Sequence, residues 1–185
     1  MRPNSVSFWN LPNTLTSIRV VAIPVLIVLL SFPGKAPSFC AAMFFLGAGM
    51  TDLLDGFFAR RQSLVTRGGK FMDPLADKLL VSAALIMLIA LDRVAAWMAF
   101  VIIGRELAVT GLRGLAAAEG IILAADRWGK FKTVLQMSAL FALILHYPYA
   151  GVDFHQLGTI LIWLALVVTL ISGVSYFLNF FRQAS

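Results

Sequence analysis

Asp52-Leu53-Leu54-Asp55-Gly56-Phe57-Phe58-Ala59-Arg60, followed after eight residues by Gly69-Lys70-Phe71-Met72-Asp73-Pro74-Leu75-Ala76-Asp77, sets the organisation of the whole chain. It gathers four of the nine acidic residues in a 185-residue chain that is 60% hydrophobic. An Asp at the centre of a membrane helix costs roughly 2.5–3.5 kcal/mol on insertion scales, so four of them require positive partners. The other acids are scattered. These are paired, Asp52 with Asp55 three residues on and Asp73 with Asp77 four residues on. Each pair therefore projects from one face of a helix.

The surrounding composition explains why buried acids matter here. Mean hydropathy is +0.88 and 13% of residues are charged, against about 25% in typical globular domains. Long apolar runs place the chain among polytopic membrane proteins, organised as a single membrane-embedded domain over 1–185. The net charge of +6 must lie mostly in loops and at helix ends, facing anionic lipid headgroups or phosphorylated substrates. Membrane lipids are thus expected partners, and nucleic acid is not. Cys40 stands alone, which excludes an intramolecular disulfide, and it reads as a small apolar residue in a helix. Arg2 and the apolar run from Val20 to Leu30 superficially resemble a signal peptide. No small-x-small cleavage site follows, and the rest of the chain is equally membranous.

The expected fold class is all-α, with six transmembrane helices near 14–32, 38–61, 70–91, 94–118, 129–145 and 156–181. Residues 1–13, with Pro3, Pro12 and the pair Phe8-Trp9, suit a short interfacial N-terminal segment. Pro24 is tolerable inside a membrane helix. Pro33, Gly34 and Pro37 mark the first turn, 62–69 a polar link, Asp92-Arg93 a tight turn and 119–128 a connector. Of fifteen Lys and Arg residues, only Lys35 and Arg93 fall on the side opposite the termini. The positive-inside rule puts both termini and the aspartates at the cytoplasmic face.

The short 62–69 link makes the second and third helices antiparallel neighbours. With a rise of 1.5 Å per residue, Asp52 lies about 12 Å from Arg60 along its helix, and Asp77 about 10 Å beyond Lys70. Asp55 and Asp73 are both shallower, so the four carboxylates match in level and can converge. They cannot all stay ionised near neutral pH without cations. Oxygen-only ligation, with no His or Cys nearby, favours hard ions such as Mg²⁺, Mn²⁺ or Ca²⁺. Four aspartates suit two metals clamping phosphate oxygens. The alternative is a set of buried Asp–Arg pairs, but Arg60, Arg61 and Arg67 lie nearer the interface than Asp52 and Asp77. Gly56, Ala59 and Gly69 would let a flat ligand approach the backbone, or simply let helices pack closely.

The pattern Asp52-x2-Asp55-Gly56-x2-Ala59-Arg60-x8-Gly69-x3-Asp73-x3-Asp77 resembles the signature of the CDP-alcohol phosphotransferases at every fixed position. The resemblance implies that family's fold of six transmembrane helices, two divalent cations (Mg²⁺ or Mn²⁺) and a homodimer. It also implies transfer of a substituted phosphate from a CDP-linked donor to an alcohol, with release of CMP. Asp52, Asp55, Asp73 and Asp77 would then ligate metal, and Asp77 would act as base on the acceptor hydroxyl.

The acceptor has to be read from other charges. Arg105, Arg113, Lys130 and Lys132 flank the cytoplasmic ends of the fourth and fifth helices. Four cations with few acidic partners make a pocket for a phosphate dianion, or serve only topology and headgroup contact. Arg105 lies about 12 Å deeper than Arg113 along their helix. Glu106 can pair with one of these cations and is assigned no chemistry.

Three stretches are similar to the bacterial phosphatidylglycerophosphate synthase branch of the family: 10–19 (NLPNTLTSIR), 104–113 (GRELAVTGLR) and 129–136 (GKFKTVLQ). That resemblance implies CDP-diacylglycerol and sn-glycerol 3-phosphate as substrates, in the bacterial cytoplasmic membrane with a cytoplasmic-facing site. Asn13, Thr16 and Arg19 would lie near the donor pyrophosphate, Arg60 and Thr66 near the cytidine, with Gly56, Ala59 and Gly69 completing the donor site. The rivals are cardiolipin, phosphatidylserine and phosphatidylinositol-phosphate synthases, whose acceptors differ, and a divalent-cation transporter. A transporter needs a polar path through both leaflets, and here the ionisable groups cluster on one side.

Overall fold

The computed structural model describes residues 11–62, 67–118 and 127–184. In chain order these form α1 (Leu11–Ser31), α2 (Lys35–Gln62), α3 (Arg67–Ala90), α4 (Ala96–Ala118), α5 (Arg127–Leu145), β1 (Pro148–Tyr149), β2 (Val152–Asp153) and α6 (Phe154–Ala184). Each expected helix is present, with ends shifted by up to three residues. The N-terminal segment before Leu11 and most of the 119–128 connector lie outside the described residues.

Two local features depart from the expected pattern. A two-stranded antiparallel hairpin joins α5 to α6, pairing Pro148 with Asp153 and Tyr149 with Val152. Its two loop residues, Ala150 and Gly151, both have positive φ, 48° and 80°, as a twist-matched two-residue hairpin turn demands. The described residues therefore form six helices, as expected, with a short hairpin added between the last two. The first turn is also tighter than expected, since α2 starts at Lys35 and Pro37 falls inside its first helical turn. Proline is tolerated there because the first N–H groups of a helix have no intrahelical partner. Gly34 alone takes the left-handed conformation, at φ 130°, and its carbonyl accepts from the Ser38 N–H.

Two compact units make up the chain, Met1–Met87 and Leu88–Ser185. In the first, α1 packs along α2, with Leu26, Leu30, Ala41, Ala42 and Phe45 buried. Helix α1 continues through Pro24. Cys40 is exposed on α2 and unpaired.

In the second unit, α6 is central and packs against both α5 and α4. It comes close to α5 at Gly158, where a Cβ would stand 2.7 Å from Leu143 Cγ and 2.8 Å from the Leu143 backbone nitrogen. Small residues are the usual means of bringing two membrane helices into such contact. Trp97 and Trp163 meet edge to face at 5.5 Å between ring centroids.

The helix ends at one pole of this unit are closely tied. Asp92, at φ 54°, donates its N–H to Ile89 O, while Arg93 N–H reaches Leu88 O; this is a Schellman stop for α3. The Arg93 guanidinium Nη1 donates to the carbonyls of Leu143 (3.2 Å) and Ile144 (2.9 Å), closing the last turn of α5. Asp153 Oδ1 accepts the N–H groups of His155 and Gln156, which makes it the N-cap of α6.

Within α6, Phe154–Gln183 spans 30 residues and contains an 18-residue window of mean hydropathy 2.4, long and apolar enough to cross a membrane. Among the described residues this is the one helix that meets both criteria. It exposes Ile160, Trp163, Leu164, Val167, Leu170 and Ile171, and α1 exposes Val21, Val25 and Val28. Continuous apolar surface of this kind is uncommon on water-soluble monomers and suits lipid contact.

Candidate active site

The backbone is helical through both aspartate pairs. Asp52, Asp55, Gly56, Ala59 and Arg60 belong to α2; Gly69, Asp73 and Asp77 belong to α3. The three- and four-residue spacings therefore hold each pair on one helix face. Asn13, Thr16 and Arg19 belong to α1. The side chains of all these residues, that of Lys130 on α5, and Thr66 altogether lie outside the described residues. The donor set on α2 and α3 is all carboxylate, which suits hard divalent cations. Among the described residues, no group of three or more His, Cys, Asp or Glu could hold a metal.

The second unit carries a polar cluster inside an otherwise apolar packing. Glu106 on α4 accepts hydrogen bonds from Arg105 Nη1 at 3.1 Å and from Lys132 Nζ across on α5. Lys132 is only 4% exposed, and that carboxylate helps to stabilise its buried charge. Arg105 Nη2 donates to Ser172 Oγ on α6 at 2.6 Å. Arg113 donates to the Tyr176 hydroxyl, and its guanidinium carbon stands 4.9 Å from the Tyr176 ring centroid, a cation–π distance. Two cations share this one carboxylate.

Among the described residues, Arg105 Nε in this cluster and Thr169 Oγ1, one turn before Ser172 on α6, are buried without a partner. Buried donors are normally satisfied, so an unpaired guanidinium N–H is a place where an acceptor oxygen would be welcome. Of the four cations expected to hold a phosphate, Arg105, Arg113 and Lys132 have described side chains. Glu106, left without a role in the sequence reading, ties two of them together.

The CDP-alcohol phosphatidyltransferase family model matches residues 9–171. The chain belongs to that family. It is 43% identical over 182 residues to the CDP-diacylglycerol–glycerol-3-phosphate 3-phosphatidyltransferase of Bacillus subtilis, covering 91% of this chain and 94% of the relative. It is 41% identical over 169 residues to the protein of the same name from Rickettsia typhi (91% and 95% covered). To a probable phosphatidylglycerophosphate synthase of Mycobacterium tuberculosis it is 37% identical over 171 residues (90% and 79% covered).

The family match ends one residue before Ser172, and the α6 contribution is what the sequence reading missed. Thr169, Ser172 and Tyr176 are spaced three and four apart on a helix whose neighbours are nearly all apolar. That polar stripe at helical period was the available signal. All three are buried.

Proposed function

We propose that this family member transfers the phosphatidyl group of CDP-diacylglycerol to sn-glycerol 3-phosphate, giving phosphatidylglycerophosphate and CMP. The observation that carries the acceptor assignment is the part-buried Arg105–Glu106–Lys132 cluster, in which two cations share one carboxylate and a guanidinium N–H is spare. A phosphorylated acceptor supplies an anionic oxygen for that spare donor. Relatives covering about nine-tenths of the chain carry the corresponding name.

In this reading Asp52, Asp55, Asp73 and Asp77 hold two divalent cations, Mg²⁺ or Mn²⁺. Those ions, when bound, neutralise the donor pyrophosphate and the departing CMP. Arg105, Arg113, Lys130 and Lys132 hold the acceptor phosphate through charge-assisted hydrogen bonds. Asp77 accepts the proton of the free primary hydroxyl as its oxygen bonds to the β-phosphorus and the bond to the CMP oxygen breaks. Asn13, Thr16, Arg19, Gly56, Ala59, Arg60, Thr66 and Gly69 shape the CDP side. The chain works as one six-span domain in the bacterial cytoplasmic membrane, with its site at the cytoplasmic face, and as a homodimer. The charge asymmetry and the apolar surfaces of α1 and α6 support the membrane placement.

The test is CMP release by the purified protein with CDP-diacylglycerol, Mg²⁺ or Mn²⁺, and each acceptor in turn. Glycerol 3-phosphate supports rapid release, while phosphatidylglycerol, serine and inositol phosphate do not; the reverse preference would sink the assignment. Asp77→Asn binds donor but loses turnover by at least about a thousandfold, within the range of general-base contributions. A near-normal rate in that variant removes Asp77 from its role.

A further inference from the structure

An arginine stem has four rotatable bonds, so a guanidinium that must meet a small phosphate needs its pose set by neighbours. At Arg105 the neighbours come from α6. Ser172, fully buried, accepts from Nη2 at 2.6 Å, and Glu106 accepts from Nη1 at 3.1 Å. The stem runs over Gly173, where a Cβ would stand 3.2 Å from Arg105 Cγ and 3.6 Å from Nε. Both terminal nitrogens are thus engaged, the stem is seated against bare backbone, and Nε is buried with no partner among the described residues. Gly173 is helical, with no positive φ demanding glycine; the space taken by the arginine is the remaining reason for it.

We propose that Ser172 and Gly173 are positioning residues for the acceptor: they fix Arg105 so that its Nε–H edge stays free for an oxygen of a phosphate monoester. The proposal rests on the acceptor reading above and deepens it. Discrimination for phosphorylated over neutral acceptors then depends on an α6 pair that makes no contact with the ligand itself. Removing the Ser172 hydroxyl frees the guanidinium to turn and also leaves an Nη2 N–H unsatisfied. Adding a methyl at Gly173 pushes the stem and Nε away from their seat.

The experiment measures CMP release against both substrates, in detergent with Mg²⁺, for wild type, Ser172→Ala, Ser172→Thr, Gly173→Ala, Arg105→Lys and Arg105→Lys/Ser172→Ala, each checked by thermal melting. Loss of one hydrogen bond to a charged group predicts about a ten- to hundredfold rise in the KM for glycerol 3-phosphate in Ser172→Ala. The KM for CDP-diacylglycerol stays within about twofold. Gly173→Ala shows the same split, and Ser172→Thr, which keeps the hydroxyl, recovers most of the affinity. Because Ser172 acts through Arg105, adding Ser172→Ala to Arg105→Lys changes little further. Equal increases in both KM values, or an undiminished Ser172→Ala effect in the Arg105→Lys background, overturns the proposal. Should Ser172→Ala fail to fold, Gly173→Ala and Ser172→Thr decide it by the same KM split. A wild type that releases no CMP with glycerol 3-phosphate overturns the acceptor reading instead, a different and separately visible result.

Discussion

Arg93 and Arg105 stand twelve residues apart in the same compact unit and are used in opposite ways. The Arg93 guanidinium is directed at backbone carbonyls, those of Leu143 and Ile144 at the end of α5. Arg105 is held by two side chains, Glu106 and Ser172, with Nε left over. Around Arg93 sit the other terminal devices, the Schellman stop at Asp92 and the Asp153 cap. Around Arg105 sit further charges engaged by side chains, Lys132 by Glu106 and Arg113 by Tyr176. A cation bonded to the backbone closes a fold; a cation steadied by side chains, with a donor to spare, is set up to meet a ligand.

The comparison breaks most readily by truncating each arginine in turn. Arg105→Ala is expected to lower kcat/KM for glycerol 3-phosphate at least about a hundredfold, the loss of roughly two charge-assisted hydrogen bonds, with little change in melting temperature. Arg93→Ala is expected to do the reverse. It leaves two α5 carbonyls without their donor and destabilises the protein by about 1–3 kcal/mol, while kcat/KM stays within about twofold. Steady-state kinetics and detergent melts on both variants check this. An Arg93→Ala enzyme that melts normally but loses acceptor affinity would reverse the assignment of the two ends.

How much of this was readable in advance follows the same division. The helices were legible because apolar runs and their Pro and Gly breakers are local; α4 and α5 end at the expected residues. The hairpin was not, because Tyr147-Pro148-Tyr149-Ala150-Gly151 lacks the Asn-Gly or Asp-Gly pair that advertises such a turn, and Ala150 adopts positive φ without side-chain encouragement. The aspartates declared themselves by spacing alone. The cations on α4 and α5 were legible as charges in an apolar frame, but not their partners. Lys132 meets Glu106 across 26 residues and Arg105 meets Ser172 across 67, pairings set by how α4, α5 and α6 pack. Arg93 was read as a turn residue and a topology marker; its reach to α5 is equally a tertiary fact.

A smaller effect, on stability alone, is expected where α6 is pressed onto α5. At Gly158 the new Cβ of an alanine would meet the Leu143 backbone nitrogen, which cannot swing aside as a side-chain tip can. Gly158→Ala is expected to destabilise by about 1–3 kcal/mol, the usual range for overpacking. Because α6 carries Ser172 and Gly173 some 20 Å further along its axis, the acceptor KM should change less than in Ser172→Ala. A Gly158→Ala variant that shifted KM more than Tm would show that the two ends of α6 are coupled, which would weaken the separation drawn between Arg93 and Arg105.

The smallest effect separates the ends by pH. His146 follows α5 in the left-handed conformation, φ 61°, with its ring 4.8 Å from that of His155, edge to face. Burial is the main reason its pKa lies below the ordinary histidine value; the neighbouring Arg93 and His155 push it the same way, against a weaker pull upward from Asp153. A base whose folded pKa is depressed contributes its stability above the unfolded value, near 6.5, and loses it as pH falls. The Nδ1 atoms of both histidines are buried without partners, so protonating His146 places a second cation beside Arg93. Melting temperature should therefore drop between about pH 7.5 and pH 5 more steeply in wild type than in His146→Asn. Asparagine suits this variant because it tolerates the left-handed conformation and cannot titrate. Identical slopes in the two proteins would remove His146 as the cause and leave acid sensitivity to the carboxylates. A steeper wild-type slope would instead make the Arg93 end the part of the second unit that responds to acid through its fold, independently of acceptor binding around Arg105.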